Sequence, residues 1–210
     1  MEISLRHEEE KDYRIVEELT REAFWNHHVP GCDEHLLIHY LRGAREFVKQ
    51  LDFVAIANDR IVGNIVYVET KIINNKEEYT VLTFGPVSVL PELWKKGIGK
   101  KLINHTIELS KGMGYKSIII YGDPEYYKRF GFVESKQFSI TNMDRKYPAA
   151  LLVLELYPNA MKGIEGIFQE GKAYEIDQNQ LEEFDNSFRK KEKGYSKYQD
   201  RFRELSNKCI

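Results

Sequence analysis

The stretch that most constrains this chain is its middle, LTFGPVSVLPELWKKGIGKKL. An apolar, β-rich run over residues 81–90 is interrupted by Gly85 and Pro86. A regular central strand does not tolerate that pair, so the run must bulge or splay there. Pro91 ends it, and a turn over residues 94–99 opens directly into a helix with Ile98, Leu102, Thr106, Leu109 and Met113 on one face. Gly112 and Gly114 stop that helix. The run KSIIIY that follows has the length and composition of a buried strand. Strand, helix and strand in this order make a βαβ unit inside the chain.

The flanking segments fit a mixed α+β domain. Ile3 and Leu5 alternate with polar residues as in a short strand, and Tyr13, Val16, Leu19 and Phe24 recur at near-helical spacing. After a loop through His27, His28, Pro30 and Gly31, Asp33 can cap a second helix carrying Leu36, Leu37, Tyr40 and Leu41. Residues 53–57 and 61–68 read as a hairpin, and a second hairpin turn falls at Asn74 and Asn75. Asp123 followed by Pro124 starts a short helix that ends near Gly131, and residues 151–156 form a further strand. These elements place one domain over residues 1–174. Beyond it, residues 175–210 read as a helical extension packed on the domain, with Leu181, Phe184 and Phe188 on one helix and Tyr198, Phe202 and Leu205 on another.

Charge and cysteine usage exclude several classes. Lysine and arginine number 31 against 33 acidic residues, without the basic excess that nucleic-acid binding requires. Only 2 cysteines are present, Cys32 and Cys209, with no CxxC spacing, which suits a reducing cytoplasm. No run reaches the ~20 apolar residues of a membrane span, and the charged N-terminus does not read as a signal peptide. His35 and His39 are spaced for one helix face, yet no HExxH is completed and no metal site is expected.

The chemistry concentrates at Gly97-Ile98-Gly99. Backbone amides of a strand-to-helix turn converge on an anion, helped by the helix dipole. No Gly-Lys-Ser/Thr follows, so this is not a P-loop, and Leu102 occupies the third-glycine position of a dinucleotide fingerprint. In order and spacing, LTFGPVSVLPELWKKGIGKKL, an amphipathic helix and then SIIIYGDPEYYKRFGF resemble the signature of the GNAT superfamily of N-acetyltransferases, in a bacterial branch of small predicted acetyltransferases.

That resemblance implies a GNAT fold, a mixed and twisted sheet flanked by helices, with acetyl-CoA as acetyl donor and a primary amine of a small molecule or peptide as acceptor in a direct ternary complex. It implies that Val87, Ser88 and Val89 bond the pantetheine arm through their backbone, as an edge strand receives an extended ligand. Gly97, Ile98 and Gly99 would wrap the pyrophosphate, with Lys95, Lys96 and Lys100 beside it. Trp94 stands where the family pattern has Gln or Arg. Tyr127, four residues before Gly131, matches the family's catalytic tyrosine, the acid that protonates the departing thiol. The asparagine that commonly opens this helix is absent. No base is legible between Val81 and Val89; Glu69 is a candidate, and the loop WNHHVPGC over residues 25–32 is where acceptor contacts are expected. A homodimer is compatible with such a domain. A non-catalytic acyl-CoA-binding sensor on the same fold is the alternative.

Overall fold

The computed structural model describes residues 1–75 and 77–210. The chain runs β1 (Ser4–His7), α1 (Tyr13–Phe24), α2 (Glu34–Gly43), β2 (Phe53–Ala57), β3 (Arg60–Asn74), β4 (Glu77–Val89), α3 (Ile98–Gly112), β5 (Ser117–Tyr121), α4 (Pro124–Tyr127), β6 (Val133–Glu134), β7 (Ile140–Thr141), β8 (Leu151–Glu155), β9 (Gly166–Gln169), α5 (Gln178–Asp185) and α6 (Lys197–Asn207). Among the described residues the strands form one mixed sheet in the order β1-β2-β3-β4-β5-β8-β6, with β9 joined to β3 and β7 to β9.

Strand alternation sorts the two faces. On β3, Ile65 and Tyr67 enter the core with Ile98, Leu102 and Ile103 of α3, whereas Val66 and Val68 enter a second core with Val16 of α1 and Ile38 and Leu41 of α2. All of these side chains are buried, so a one-residue slip of β3 would exchange two apolar sets between faces. A bulge fixes the β3–β4 register: Val87 pairs with Ile65 and Phe84 with Tyr67, so Gly85 and Pro86 together oppose Val66.

The decisive feature lies one strand further on. β4 and β5 are parallel and share a single paired position, Leu82 with Ile118. Past that pair the strands diverge, and the stretch of β4 from Thr83 to Val89 keeps β3 on one side and no strand on the other among the described residues.

Two sequence expectations need adjustment. Asp33 stands at the N-cap of α2, but its side chain makes no capping hydrogen bond. The buried stripe of α3 takes in Ile103, Ile107 and Ser110, and Met113 is exposed, because the sheet curves across the helix and touches the neighbouring row of side chains.

α2 is anchored by buried charge. Arg42 donates to both carboxylate oxygens of Glu8, at 2.6 and 3.0 Å, and to Glu17 at 3.0 Å. Asp52 lies beside Glu8, buried and with Oδ1 unpartnered. Burial first, and the Glu8 carboxylate second, push its pKa up to about 8. Unfolded, an aspartate titrates near about 3.9, so the folded state holds a proton that the unfolded chain has released. Stability therefore falls as pH rises from the ordinary carboxylate range toward about 8. Asp52→Asn should flatten that part of the pH profile in equilibrium urea unfolding; an unaltered slope would mean that Asp52 is ionised in the folded protein.

Candidate functional site

The turn before α3 is built to present amides. Lys95 and Gly97 both take the left-handed conformation, with φ of +62° and +84°. Gly97 supplies it without strain and serves as the N-cap. Among the described residues, the backbone N–H groups of Lys95, Gly97, Ile98, Gly99 and Lys100 donate to no acceptor, while Lys101 N–H begins the helical ladder by bonding Gly97 O at 2.9 Å. Free amides at the positive end of a four-turn helix form an anion cradle. Lys95, Lys96 and Lys100 are exposed around it and, among the described residues, enter no salt bridge. Lys101 is committed elsewhere, donating to the carbonyl of Ile3 just before β1.

The free edge of β4 leads into this cradle. Val87, Ser88 and Val89 pair with Ile65, Asn64 and Gly63 of β3 and have the gap left by β5 on their other side. Ser88 contributes only its backbone to that edge, because its buried hydroxyl turns to α1 and donates to Thr20 Oγ1 at 3.1 Å. Trp94 Nε1 donates to Val89 O at 2.8 Å, so this indole sits against the end of the open edge.

α4 forms the opposite wall. Asp123 caps it by accepting from Glu125 N–H at 2.9 Å, and Pro124 fills the first helical position, where its missing N–H costs nothing. The cap directs Tyr127 back over Gly122, into contact with Phe84 at 5.9 Å and Phe132 at 5.7 Å between ring centroids. Phe84 lies on β4 just past the last shared pair with β5, so Tyr127 stands at the vertex of the gap. Among the described residues its hydroxyl has no hydrogen-bond partner, and desolvation, with smaller contributions from Tyr126 and Asp123, raises its pKa. The phenol is therefore protonated at neutral pH.

Glu69 pairs with Leu82, two positions from the Tyr67–Phe84 pair, and its carboxylate accepts from Tyr115 Oη at 2.6 Å beyond the C-terminal end of α3. The carboxylate that the sequence offers as a base is thus engaged with Tyr115, and the fully buried Tyr67 is its neighbour two positions back on β3. Neither this pairing nor the Tyr115 contact was legible beforehand, because a register is not readable from one strand alone.

Residues 25–32 do reach the mouth of the gap, and they meet partners that sequence reasoning had not connected to it. His27 stacks on Tyr198 of α6 with centroids 4.6 Å apart and planes 11° from parallel, and His28 stacks on Phe202 at 4.6 Å. Tyr198 also meets Trp94 edge-on at 6.3 Å. Arg201 of α6 bonds both carboxylate oxygens of Asp123, at 3.0 and 3.1 Å. His35 and His39 pack instead on Phe184 of α5, and His35 Nε2 lies 3.1 Å from Asp185, which also pairs with Arg21. The imidazoles of α2 thus hold the C-terminal segment.

A mixed α+β sheet whose parallel pair opens beside a helix N-terminus has counterparts among known proteins. The family model described as an acetyltransferase (GNAT) domain matches residues 49–134. The fold is shared with the GNAT family N-acetyltransferase YhbS of Escherichia coli, solved in complex with CoA, at a TM-score of 0.72 and 20% identity over 82% of this chain and 91% of that one. A GNAT family acetyltransferase from Brucella melitensis, solved in complex with acetyl-CoA, superposes with a TM-score of 0.66 and 26% identity over 83% of this chain and 99% of that one. Among curated proteins, the uncharacterized N-acetyltransferase YjhQ of Escherichia coli is 28% identical over 82 residues, 39% of this chain, and the match spans less than half of that relative's length, 45%. Residues 49–134 thus match a GNAT acetyltransferase domain, and the fold is that of GNAT-family structures. Among the described residues no helix is long and apolar enough to cross a membrane.

Gly122 makes the placement of Tyr127 testable. A β-carbon at this glycine would lie 2.3 and 2.6 Å from ring carbons of Tyr127. Gly122→Ala should therefore push the ring off its seat and cost about 1–3 kcal/mol in urea unfolding, as overpacking does. Wild-type stability in that variant would show that the ring is not held against the strand end.

Proposed function

We propose that this protein is an acetyl-CoA-dependent N-acetyltransferase acting on a primary amine in a direct ternary complex. The observation that carries the reading is the continuity of three features: an anion cradle with free amides, an unpaired strand edge leading from it, and an unpartnered tyrosine hydroxyl where that edge meets β5. A coenzyme A thioester has these parts in this order: pyrophosphate, an amide-bearing pantetheine arm, and sulfur. The amides of residues 97–100 and the lysines at 95, 96 and 100 take the phosphates, and the backbone of residues 87–89 takes the arm as an added strand.

The amine nitrogen attacks the thioester carbonyl carbon, and the electron pair of the C=O bond moves to oxygen. Amides on the open edge of β4 stabilise that oxyanion. As the intermediate collapses, the carbon–sulfur bond breaks and the Tyr127 hydroxyl gives its proton to the leaving thiolate, while the amine nitrogen loses a proton to solvent. Its raised pKa keeps the phenol protonated beforehand, and the phenolate left after transfer regains a proton from solvent, which restores the enzyme. The products are an N-acetyl amide and CoA thiol.

Tyr127→Phe removes the proton and keeps the ring, so kcat should fall by about 10²–10⁴-fold, the usual contribution of a general acid. Acetyl-CoA affinity by calorimetry should stay unchanged. Full turnover in the variant would remove Tyr127 from the chemistry, and failure of the wild type to bind acetyl-CoA at millimolar concentration would overturn the function. Saturable binding with no turnover on a broad amine panel would instead make this a non-catalytic acyl-CoA sensor.

A further inference from the structure

The GNAT signature ends near residue 132, yet the mouth of its gap is crossed by a helix 65 residues further along the chain. α6 is fixed on both arms of the splay. On the β4 side, Tyr198 lies flat on His27 and edge-on to Trp94, whose indole bonds the Val89 carbonyl. On the β5 side, Arg201 grips Asp123, the cap of the helix that carries Tyr127. The ends of α6 are secured as well. At its start, Ser196 Oγ and Gln199 Nε2 both donate to Asn26 O, and Gln199 is buried. Past its end, Ala149 N–H bonds Lys208 O at 2.8 Å and Ile210 N–H bonds Tyr147 O at 3.0 Å.

This is a crossbar with an aromatic underside, and the side chains it brings to the gap are not charged for recognition. Asp123 is neutralised by Arg201, and Glu34 is occupied by His28 at 2.7 Å. His27 is desolvated, which lowers its pKa and leaves it neutral, and its Nδ1 is buried without a partner. Trp94, Tyr198 and Phe202 nevertheless remain 37%, 42% and 40% exposed, a large solvent-facing aromatic area for three residues whose rings lie within one cluster.

Resting on the acetyltransferase reading above, we infer that α6 is the acceptor-side wall of the site, with Tyr198 and Phe202 as specificity-determining residues for a small primary amine carrying a flat, apolar body. The crossbar, tied to both strands, excludes an extended polypeptide from lying across the gap. The exposed aromatic faces receive a ring by offset or edge contact, and the neutral environment suits an amine that must lose its proton before it attacks.

The test is calorimetric titration of the CoA-saturated protein with phenethylamine, with ethanolamine, and with an Ala-Ala-Ala peptide amide. Wild type should bind phenethylamine at least about tenfold tighter than either of the others. Tyr198→Ala and Phe202→Ala should each erase most of that preference while leaving CoA affinity within about twofold, the CoA titration also reporting that the variants are folded. Equal affinity for the three amines, or a preference that survives both substitutions, would overturn the wall assignment with CoA binding intact. Absence of CoA binding in the wild type would strike the acetyltransferase reading, and a phenethylamine preference seen without CoA would still locate the wall. Arg201→Ala gives the independent check: releasing the β5 end of the crossbar should admit the tripeptide, and continued exclusion would show that α6 does not control entry.

Discussion

Everything distinctive about this molecule depends on the single shared position between β4 and β5. Parallel strands normally continue side by side for several residues because each pair satisfies backbone groups that would otherwise face solvent. Here Leu82 and Ile118 meet and the strands part, leaving a length of β4 that is paired on one side only. An unpaired edge inside a sheet is costly unless something fills it. The bulge at Gly85 and Pro86 turns β4 away from its neighbour, and the aromatic packing of Tyr127 on Phe84 and Phe132 wedges the vertex. Bulge, wedge and free edge are three parts of one opening within the sheet.

The same geometry explains why the anion cradle lies where it does. β4 ends at Val89, and only a short connection separates it from α3, so the N-terminus of that helix must lie at the open end of the gap. Gly97 supplies the left-handed turn that starts the helix, and the buried Ile98 and Leu102 hold its first turn against β3. Cradle and edge are thereby fixed to the same rigid core. A ligand that spans both gains from a site already formed before it arrives.

Much of this was legible because it is local. Gly85-Pro86 announced a break in a strand, Gly97-Ile98-Gly99 a helix N-terminus offering amides, and Asp123-Pro124 a capped short helix; each rests on the φ/ψ demands of one or two residues, and each is found. What the sequence concealed is long-range. The surroundings of Glu69 were unknown, and only the fold pairs it with Leu82 and brings Tyr115 to its carboxylate. Trp94 read as a departure from a pattern, whereas in the fold it bonds Val89 and forms part of an aromatic cluster. Tyr198 and Phe202 showed a helical period with a stripe that any core could use, and periodicity does not say which surface that stripe will cover.

The placement of α6 ties the two sides of the site together through one carboxylate. Asp123 accepts from Glu125 N–H to start α4 and from the Arg201 guanidinium to hold α6, and the paired arginine keeps it ionised by lowering its pKa. The carboxylate has oxygens enough for both duties, with Oδ1 shared between helix cap and guanidinium and Oδ2 given to the guanidinium alone. An exposed ion pair contributes little to global stability, so this pair is better understood as a positional constraint than as an energetic one. Because Asp123 caps the helix that carries Tyr127, α6 and Tyr127 are linked through one carboxylate. A helix near the end of the chain is in this way tied to the short helix that follows β5.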